Sequence, residues 1–271
     1  MIRKTITAII LAVLFSSCHI YRAYERPESV TVSDSLYREP VSTADSVSLA
    51  SLTWRELFRD SQLQQLIERG LAHNTDLRIA RLKVKEAEAL LMTSRLSYLP
   101  SVSLNPQGTL TSVDGSKPSK TYNLAVAADW EIDLFGKLLN AKRGAQAALE
   151  QSEAYRQAVQ TQLIATIANS YYTLLLLDEQ LGITQRTAVT WTECLRTMKA
   201  LKRAGQATEM AVAQTEASKL AVDASVVSIE RQINEMENSL SVLLGMPPQE
   251  ISRSVLGKQE FPDSLATGIP L

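Results

Sequence analysis

Asp129, Glu131 and Asp133 alternate through the run Asp129-Trp130-Glu131-Ile132-Asp133. On a strand that spacing carries all three carboxylates to one face, the kind of grouping that acid–base catalysis uses. The same spacing also lines a water-facing wall with negative charge, and that simpler reading is preferred. Cys18 is the second reactive candidate. In Leu14-Phe15-Ser16-Ser17-Cys18, small residues precede a thiol, and only a nucleophilic sulfur forms a thioether with a diacylglycerol. Cys194 falls in a helical stretch and is expected to be a buried small hydrophobe. His73 lies just ahead of a helix cap and is expected at the surface, while His19 carries no functional signal of its own. Two cysteines and two histidines leave little for a disulfide framework or a metal cluster. The patterns Gly-x-x-x-x-Gly-Lys-Ser/Thr, His-Glu-x-x-His, Cys-x-x-Cys and Gly-x-Ser-x-Gly are all missing. The expectation is a protein with no enzymatic activity, no metal and no cofactor.

The elements that position these residues follow from composition. The chain has 271 residues, with 28 Lys+Arg against 29 Asp+Glu. A formal charge of −1 excludes a generally basic nucleic-acid binder, so no nucleic-acid partner is expected. Nine prolines occur, yet none lies in the 128 positions between Pro118 and Pro247. A compact enzyme needs turn punctuation in such a stretch, so long helices are favoured over a mixed catalytic fold.

Arg3 and Lys4 precede an apolar run over residues 6–15 that ends in Ser16-Ser17-Cys18. This reads as a secretory signal over residues 1–17, with Cys18 in a lipobox. The alternative is an ordinary signal with a coincidental cysteine. The run is about half the ~20 residues that span a bilayer, so a permanent transmembrane helix is not expected. Acylation at Cys18 would anchor the mature chain.

Residues 18–51 have weak periodicity and read as an extended arm. Over 52–99, Leu63, Leu66, Ile67 and Leu71 form one helix face, and Asn74-Thr75 caps a second helix through Leu77, Ala80, Val84, Ala87 and Leu91. Over 100–135 the period switches to two. Val102, Leu104, Gly108 and Leu110 alternate with polar residues. Tyr122, Leu124, Val126, Ala128, Trp130 and Ile132 then face one way, with Asn123, Asp129 and Glu131 facing the other. Asp114-Gly115-Ser116-Lys117-Pro118 makes the turn between them. Strands of about 10–12 residues suit a tilted membrane hairpin. A soluble hairpin packing its apolar face on the helices fits the periodicity equally well.

Residues 136–244 read as a long helical hairpin. As one helix, Gly136 to Arg203 would extend about 100 Å. Ala141, Ala145, Ala148, Ser152, Tyr155 and Val159 follow a coiled-coil spacing with mostly small side chains. Gly205 breaks the helix and Thr208 restarts it. The returning arm carries Val222, Val226, Ile229, Ile233, Met236, Leu240 and Leu243 in 4–3 alternation. Gly245 and Pro247-Pro248 stop it, and 245–271 reads as a linker.

Taken in order, these motifs resemble the TolC-like outer-membrane efflux proteins. Tyr24-Glu25-Arg26-Pro27 follows the lipobox, then Trp54-Arg55-Glu56-Leu57-Phe58 and Asn74-Thr75-Asp76-Leu77. Trp130-Glu131-Ile132-Asp133-Leu134-Phe135-Gly136-Lys137 looks like that family's strand-to-helix junction. Tyr171-Tyr172-Thr173-Leu174 and Arg203-Ala204-Gly205-Gln206-Ala207-Thr208 match in position. The lipobox places the resemblance nearer the lipoprotein branch of multidrug and metal efflux factors.

The resemblance implies a mainly α protein. Very long antiparallel coiled-coil helices form part of a periplasmic α-barrel, and one β-hairpin contributes to an outer-membrane β-barrel. It implies a homotrimer, lipid-anchored in the bacterial outer membrane and extending into the periplasm. A periplasmic adaptor and an inner-membrane efflux pump would be its partners. Helices over 52–99 would be equatorial and upper, and the return helix would stack end-on with the helix before Pro100. Arg203, Gly205, Gln206, Thr208 and Glu209 would form the adaptor-facing tip, with Glu209 where family tips often carry Asp. Tyr122, Leu124, Val126, Trp130 and Ile132 would face outer-membrane lipid, and Asn123, Asp129 and Glu131 the lumen. The implied function is a passive exit duct in a three-part efflux system. Alternatives are a type I secretion duct and a truncated, non-conducting structural lipoprotein.

The family chain holds two related halves, whereas this sequence holds one, with 245–271 leading toward a second repeat. Three copies would supply six strands, fewer than the eight of the smallest membrane barrels. The chain by itself is therefore not expected to form a conducting trimer. Six copies, or a second chain in trans, would be needed.

Overall fold

The computed structural model describes residues 53–112, 115 and 117–259. The signal over 1–17, Cys18, the arm to residue 51 and residues 260–271 of the linker lie outside the described residues.

Two short elements open the described chain. Helix α1 (Trp54–Leu57) starts at Thr53, whose backbone N–H and hydroxyl both donate to Glu56 Oε2 at 2.7 and 2.8 Å. Helix α2 (Ser61–His73) is capped by Asp60, which accepts from Gln62 N–H at 2.8 Å. Helix α3 (Thr75–Leu96) begins immediately after it. Asn74 serves both helices and a third. Its N–H donates to the Gly70 carbonyl at the end of α2. Its Oδ1 accepts from Leu77 N–H at 2.9 Å, starting α3. Its Nδ2 donates to the Leu243 carbonyl at 3.0 Å, at the end of the last long helix. The cap read from the sequence is there, with that second load added.

Helix α4 (Lys137–Arg203) runs for 67 residues without a break, passing through Gly144 and Gly182. At about 1.5 Å per residue it is about 100 Å long. Helix α5 (Glu209–Leu243) returns antiparallel along its second half, and α3 packs along its first half. The Asn74–Leu243 bond joins α5 and α3 end to end, the stacking that the resemblance implies. Both ends of the α4–α5 pair that needed glycine have it. Gly205 (φ +72°) follows α4 and Gly245 (φ +63°) follows α5. At each, the next residue's N–H reaches back to a carbonyl five residues earlier: Gln206 to Leu201 and Met246 to Ser241, both at 2.9 Å.

The core lies where α2, α4 and α5 meet. Leu63, Ile67, Ile167, Tyr171, Leu174 and Leu240 are fully buried there. Close approach is possible because Gly70 has no side chain; a Cβ would stand 2.4 Å from Ile167 Cδ1. Every residue of the expected α5 stripe, from Val222 to Leu243, is buried or half-buried. The expected α4 stripe is different. Ala141, Ala148 and Tyr155 are exposed, and Ala145, Ser152 and Val159 are half-buried. Within one chain α3 covers only part of that surface, with Lys83 Nζ 5.1 Å from the Tyr155 ring centroid. Cys194 departs from expectation. It is exposed, one step from buried Leu195 and off the α4 face that meets α5.

Strands β1 (Ser101–Thr111) and β2 (Ser119–Asp129) pair antiparallel, 11 residues each. Pro106 sits inside β1, opposite Leu124, without ending it. Among the described residues the sheet has these two strands alone, and every residue of both is exposed.

Candidate functional site

The hairpin's register decides what its faces carry. Val102 pairs with Ala128, Leu104 with Val126, Pro106 with Leu124 and Gly108 with Tyr122. Paired residues share a face, so these make one apolar surface. Gln107 pairs with Asn123, Thr109 with Thr121 and Ser101 with Asp129, making the opposite, polar surface. A slip of one residue would mix the two sets. No helix covers either face among the described residues, so a hairpin packed on the helices is not what forms here. The apolar surface includes Leu104, Leu124 and Val126 at 61–70% exposure, an unusual amount of uncovered hydrocarbon for a two-stranded sheet.

The strand is shorter than the alternation suggests. β2 ends at Asp129, so Trp130, Glu131 and Ile132 lie beyond it, and the three carboxylates do not share one strand face. The cause is local. The Trp130 indole N–H donates to the Tyr98 carbonyl at 3.1 Å, tying the exit of β2 to the entrance of β1. Glu131 turns to Lys137, at 2.6 Å between Oε1 and Nζ. Asp133 accepts from the N–H groups of Leu138 and Leu139 at 3.1 and 2.9 Å and so caps α4. Gly136, at φ +75°, makes the corner between strand and helix. Asp129 and Asn123 remain on the polar face, with Tyr122, Leu124 and Val126 on the apolar one.

At the far end of the molecule, Arg203, Gly205, Gln206, Thr208 and Glu209 form one exposed turn. Thr208 Oγ1 accepts from Ala211 N–H at 3.2 Å and starts α5. Glu209 pairs back to Lys202, and Glu216 to Lys199 at 3.4 Å, bridging the two arms. Such exposed pairs contribute little stability, so the turn rests on its backbone caps.

A third site was not anticipated. Residues 246–259 leave α5 and run back across α4 and α5, fastened by two polar knots. In one, Arg253 meets Asp178 of α4 through Nε–Oδ2 at 2.5 Å and a second nitrogen to Oδ1 at 2.8 Å, and also pairs with Glu237 of α5. Glu237 also accepts from Ile251 N–H at 3.2 Å. The hydrogen bonds that Arg253 donates to Asp178 lead the forces that raise its guanidinium above the ordinary range, against the opposing pull of desolvation. In the other knot, Asp60 accepts from Tyr171 OH at 2.7 Å, from Gln259 at 2.8 Å and from Ser254. Burial pushes the Asp60 carboxyl up, but these donors and Gln62 N–H together outweigh it and hold it below its usual value. Burial raises the Tyr171 and Tyr172 phenols. One signal for the first knot was in the sequence. Glu237 sits four residues after Ile233 and three before Leu240, on the buried side of α5, where a carboxylate needs a partner. Nothing near Arg253 announces that it is that partner.

Known proteins share this fold. Residues 66–246 match the model of the outer membrane efflux protein family. The chain is 28% identical over 257 residues to the probable efflux pump outer membrane protein TtgC of Pseudomonas putida, covering 90% of this chain and 53% of that one. It is 29% identical over 220 residues to the probable outer membrane lipoprotein SilC of Salmonella typhimurium, covering 76% and 47%. Among solved structures, the open state of the Neisseria gonorrhoeae MtrE outer membrane channel superposes with a TM-score of 0.74 at 29% identity, covering 93% of this chain and 57% of that one. The outer-membrane channel OprN superposes at 0.73 and, at 24% identity, attests the fold. The chain spans about half the length of the curated relatives it matches. With a family match over more than half its residues and this mainly helical, single-hairpin fold, the chain belongs to the outer membrane efflux protein family.

Proposed function

We propose that the chain forms part of a passive outer-membrane exit duct in a tripartite efflux system. A homotrimeric assembly would work with a periplasmic adaptor and an inner-membrane pump. The observation that carries this reading is the uncovered hairpin, with its register-sorted faces, joined through Gly136 to a helix about 100 Å long. A wall between lipid and water is the environment in which an uncovered apolar face can stand opposite a polar one. Tyr122, Leu124 and Val126 are assigned to lipid, with Trp130 and Ile132 at the margin of that band. Asn123 and Asp129 are assigned to the water-filled lumen, with Glu131 just below it. The turn from Arg203 to Glu209 is assigned to adaptor contact. Acylation at Cys18 would tether the chain to the same membrane, a reading supported by SilC's name as a lipoprotein. A non-enzymatic role follows from kinship with channel proteins.

Two strands leave two open edges, and unpaired edge backbone in lipid costs several kcal/mol per group. The hairpin therefore functions only where other strands pair with both edges. The test is a matched pair of variants in membranes. A charge at the bilayer midplane on the lipid side costs ~2–4 kcal/mol, and the lumen side tolerates it. Leu124→Arg is expected to abolish membrane assembly while Asn123→Arg assembles normally. Equal behaviour of the two would reject the membrane hairpin. Cysteine crosslinking from Gln206 to a coexpressed adaptor tests the tip; crosslinks confined to the hairpin would reject that assignment.

A further inference from the structure

The apolar face of the hairpin carries a single charge among its described residues. Register places Lys120 opposite Leu110, on the same side as Tyr122, Leu124, Val126 and Ala128. Lys120 is exposed and has no ion pair among the described residues. Next along that face, Tyr122 is 81% exposed, its ring lying beside Gly108, where a Cβ would be 3.6 Å away. From Lys120 to the strand's end at Asp129 is about 30 Å along the strand at ~3.3 Å per residue. At a tilt of about 40° that is about 23 Å of height, close to the ~25 Å apolar band of a membrane strand. The face is therefore bounded by Lys120 and Tyr122 at the loop end, and by Trp130 just past the base.

Resting on the membrane reading above, we propose that Lys120 is a docking point for the anionic phosphate head group of a lipid at the loop-end margin of the bilayer. A lipid-facing lysine is strongly unfavourable at the midplane and nearly neutral at the interface. Its position therefore fixes the level at which the hairpin sits. An ammonium there, at the loop end of the face beyond Tyr122 and with no carboxylate partner among the described residues, meets phosphate oxygens as its natural counter-charge. Burying the same face against a second protein chain would instead leave that ammonium unpaired among apolar groups.

The experiment uses the full chain assembled in vesicles of phosphatidylcholine containing one-fifth phosphatidylglycerol. Co-purified lipid is counted by mass measurement. Phosphatidylglycerol is expected to be enriched, and Lys120→Gln to lower that enrichment about fivefold. Lys120→Arg should keep it, and so should Lys142→Gln on exposed α4. An unchanged enrichment in Lys120→Gln overturns the inference. A nitroxide at Leu124→Cys keeps the two readings apart. Access to oxygen but not to a water-soluble chelate supports the membrane reading, whatever Lys120 does. Access to the chelate refutes that reading, and this inference with it. Shielding from both means a second chain covers the face, which also overturns the inference.

Discussion

Replacing Arg253 by methionine is expected to free the segment 246–259 while leaving the long helices intact. The Arg253 side chain is 13% exposed and holds two carboxylates at once. Asp178, at 40%, regains water when the guanidinium leaves, so its loss amounts to at most about 1 kcal/mol. Glu237, at 9%, cannot, and a buried charge left without its partner costs ~3–5 kcal/mol. The Ile251 N–H still donates to it, which places the expected total near the lower figure, about 3 kcal/mol. Local opening of the segment should then become about 150-fold more frequent. Hydrogen exchange of a peptide covering 246–259, in the assembled protein, reads this directly. Adding Glu237→Gln removes the stranded charge and should recover at least about 1.5 kcal/mol of the loss. A single variant whose segment exchanges less than fivefold faster would refute the reasoning. So would a double variant whose effects simply add, since the cost would then not reside in Glu237.

Three further outcomes can be checked. Gly245→Ala should destabilise more than Gly205→Ala in thermal melts. Both force a left-handed residue, at ~1–2 kcal/mol, but at Gly245 the new Cβ also stands 3.0 Å from the His73 carbonyl, whereas at Gly205 nothing lies within 4 Å. Asn74→Ala should cost about 2–3 kcal/mol, from a lost cap and a lost bond to Leu243; a cost below about 1 kcal/mol would mean that α3 and α5 are not coupled there. Asp60 has a depressed carboxyl, so its contribution is full above the ordinary aspartate value of 3.8 and disappears as pH falls through the lower folded value. Protection of residues 254–259 should therefore fall with acidification below that value in the native protein, and Asp60→Asn should remove this pH dependence.

Long-range architecture was legible wherever one physical signal acted alone. The proline-free run spelled out α4, and the 4–3 stripe on α5 was buried or half-buried along its whole length because a hairpin partner is always present. Period-two alternation gave both strands, and the register then kept Leu104 with Val126 and Gln107 with Asn123. Misreadings came where a tertiary demand competed with periodicity. Alternation continues through Ile132, but Asp133 is needed to cap α4, so the strand stops at Asp129. Cys194 is apolar enough for a core, but its place on α4 points away from α5. The small-residue stripe from Ala141 is real as a pattern, yet a single chain supplies only part of its cover. Arg253 was invisible for another reason. A lone arginine after two prolines looks like any surface residue until two helices bring Asp178 and Glu237 beneath it.

The uninterrupted length of α4 makes it a lever. Tyr171, at the clasp formed by Asp60 and Ser254, stands about midway along the helix, and Arg203 lies about 48 Å further on. A tilt of about 5° around that fulcrum would sweep the Gly205 turn through about 4 Å, without any hydrogen bond of the helix being broken. The arm below the fulcrum suits such a stroke. Gln180, Thr184, Val222, Ser225, Ile229 and Gln232 line an open groove of about 380 Å³ between the two helices, so packing there is looser than in the core around Tyr171. A small adjustment at mid-height would thus become a larger displacement at the turn.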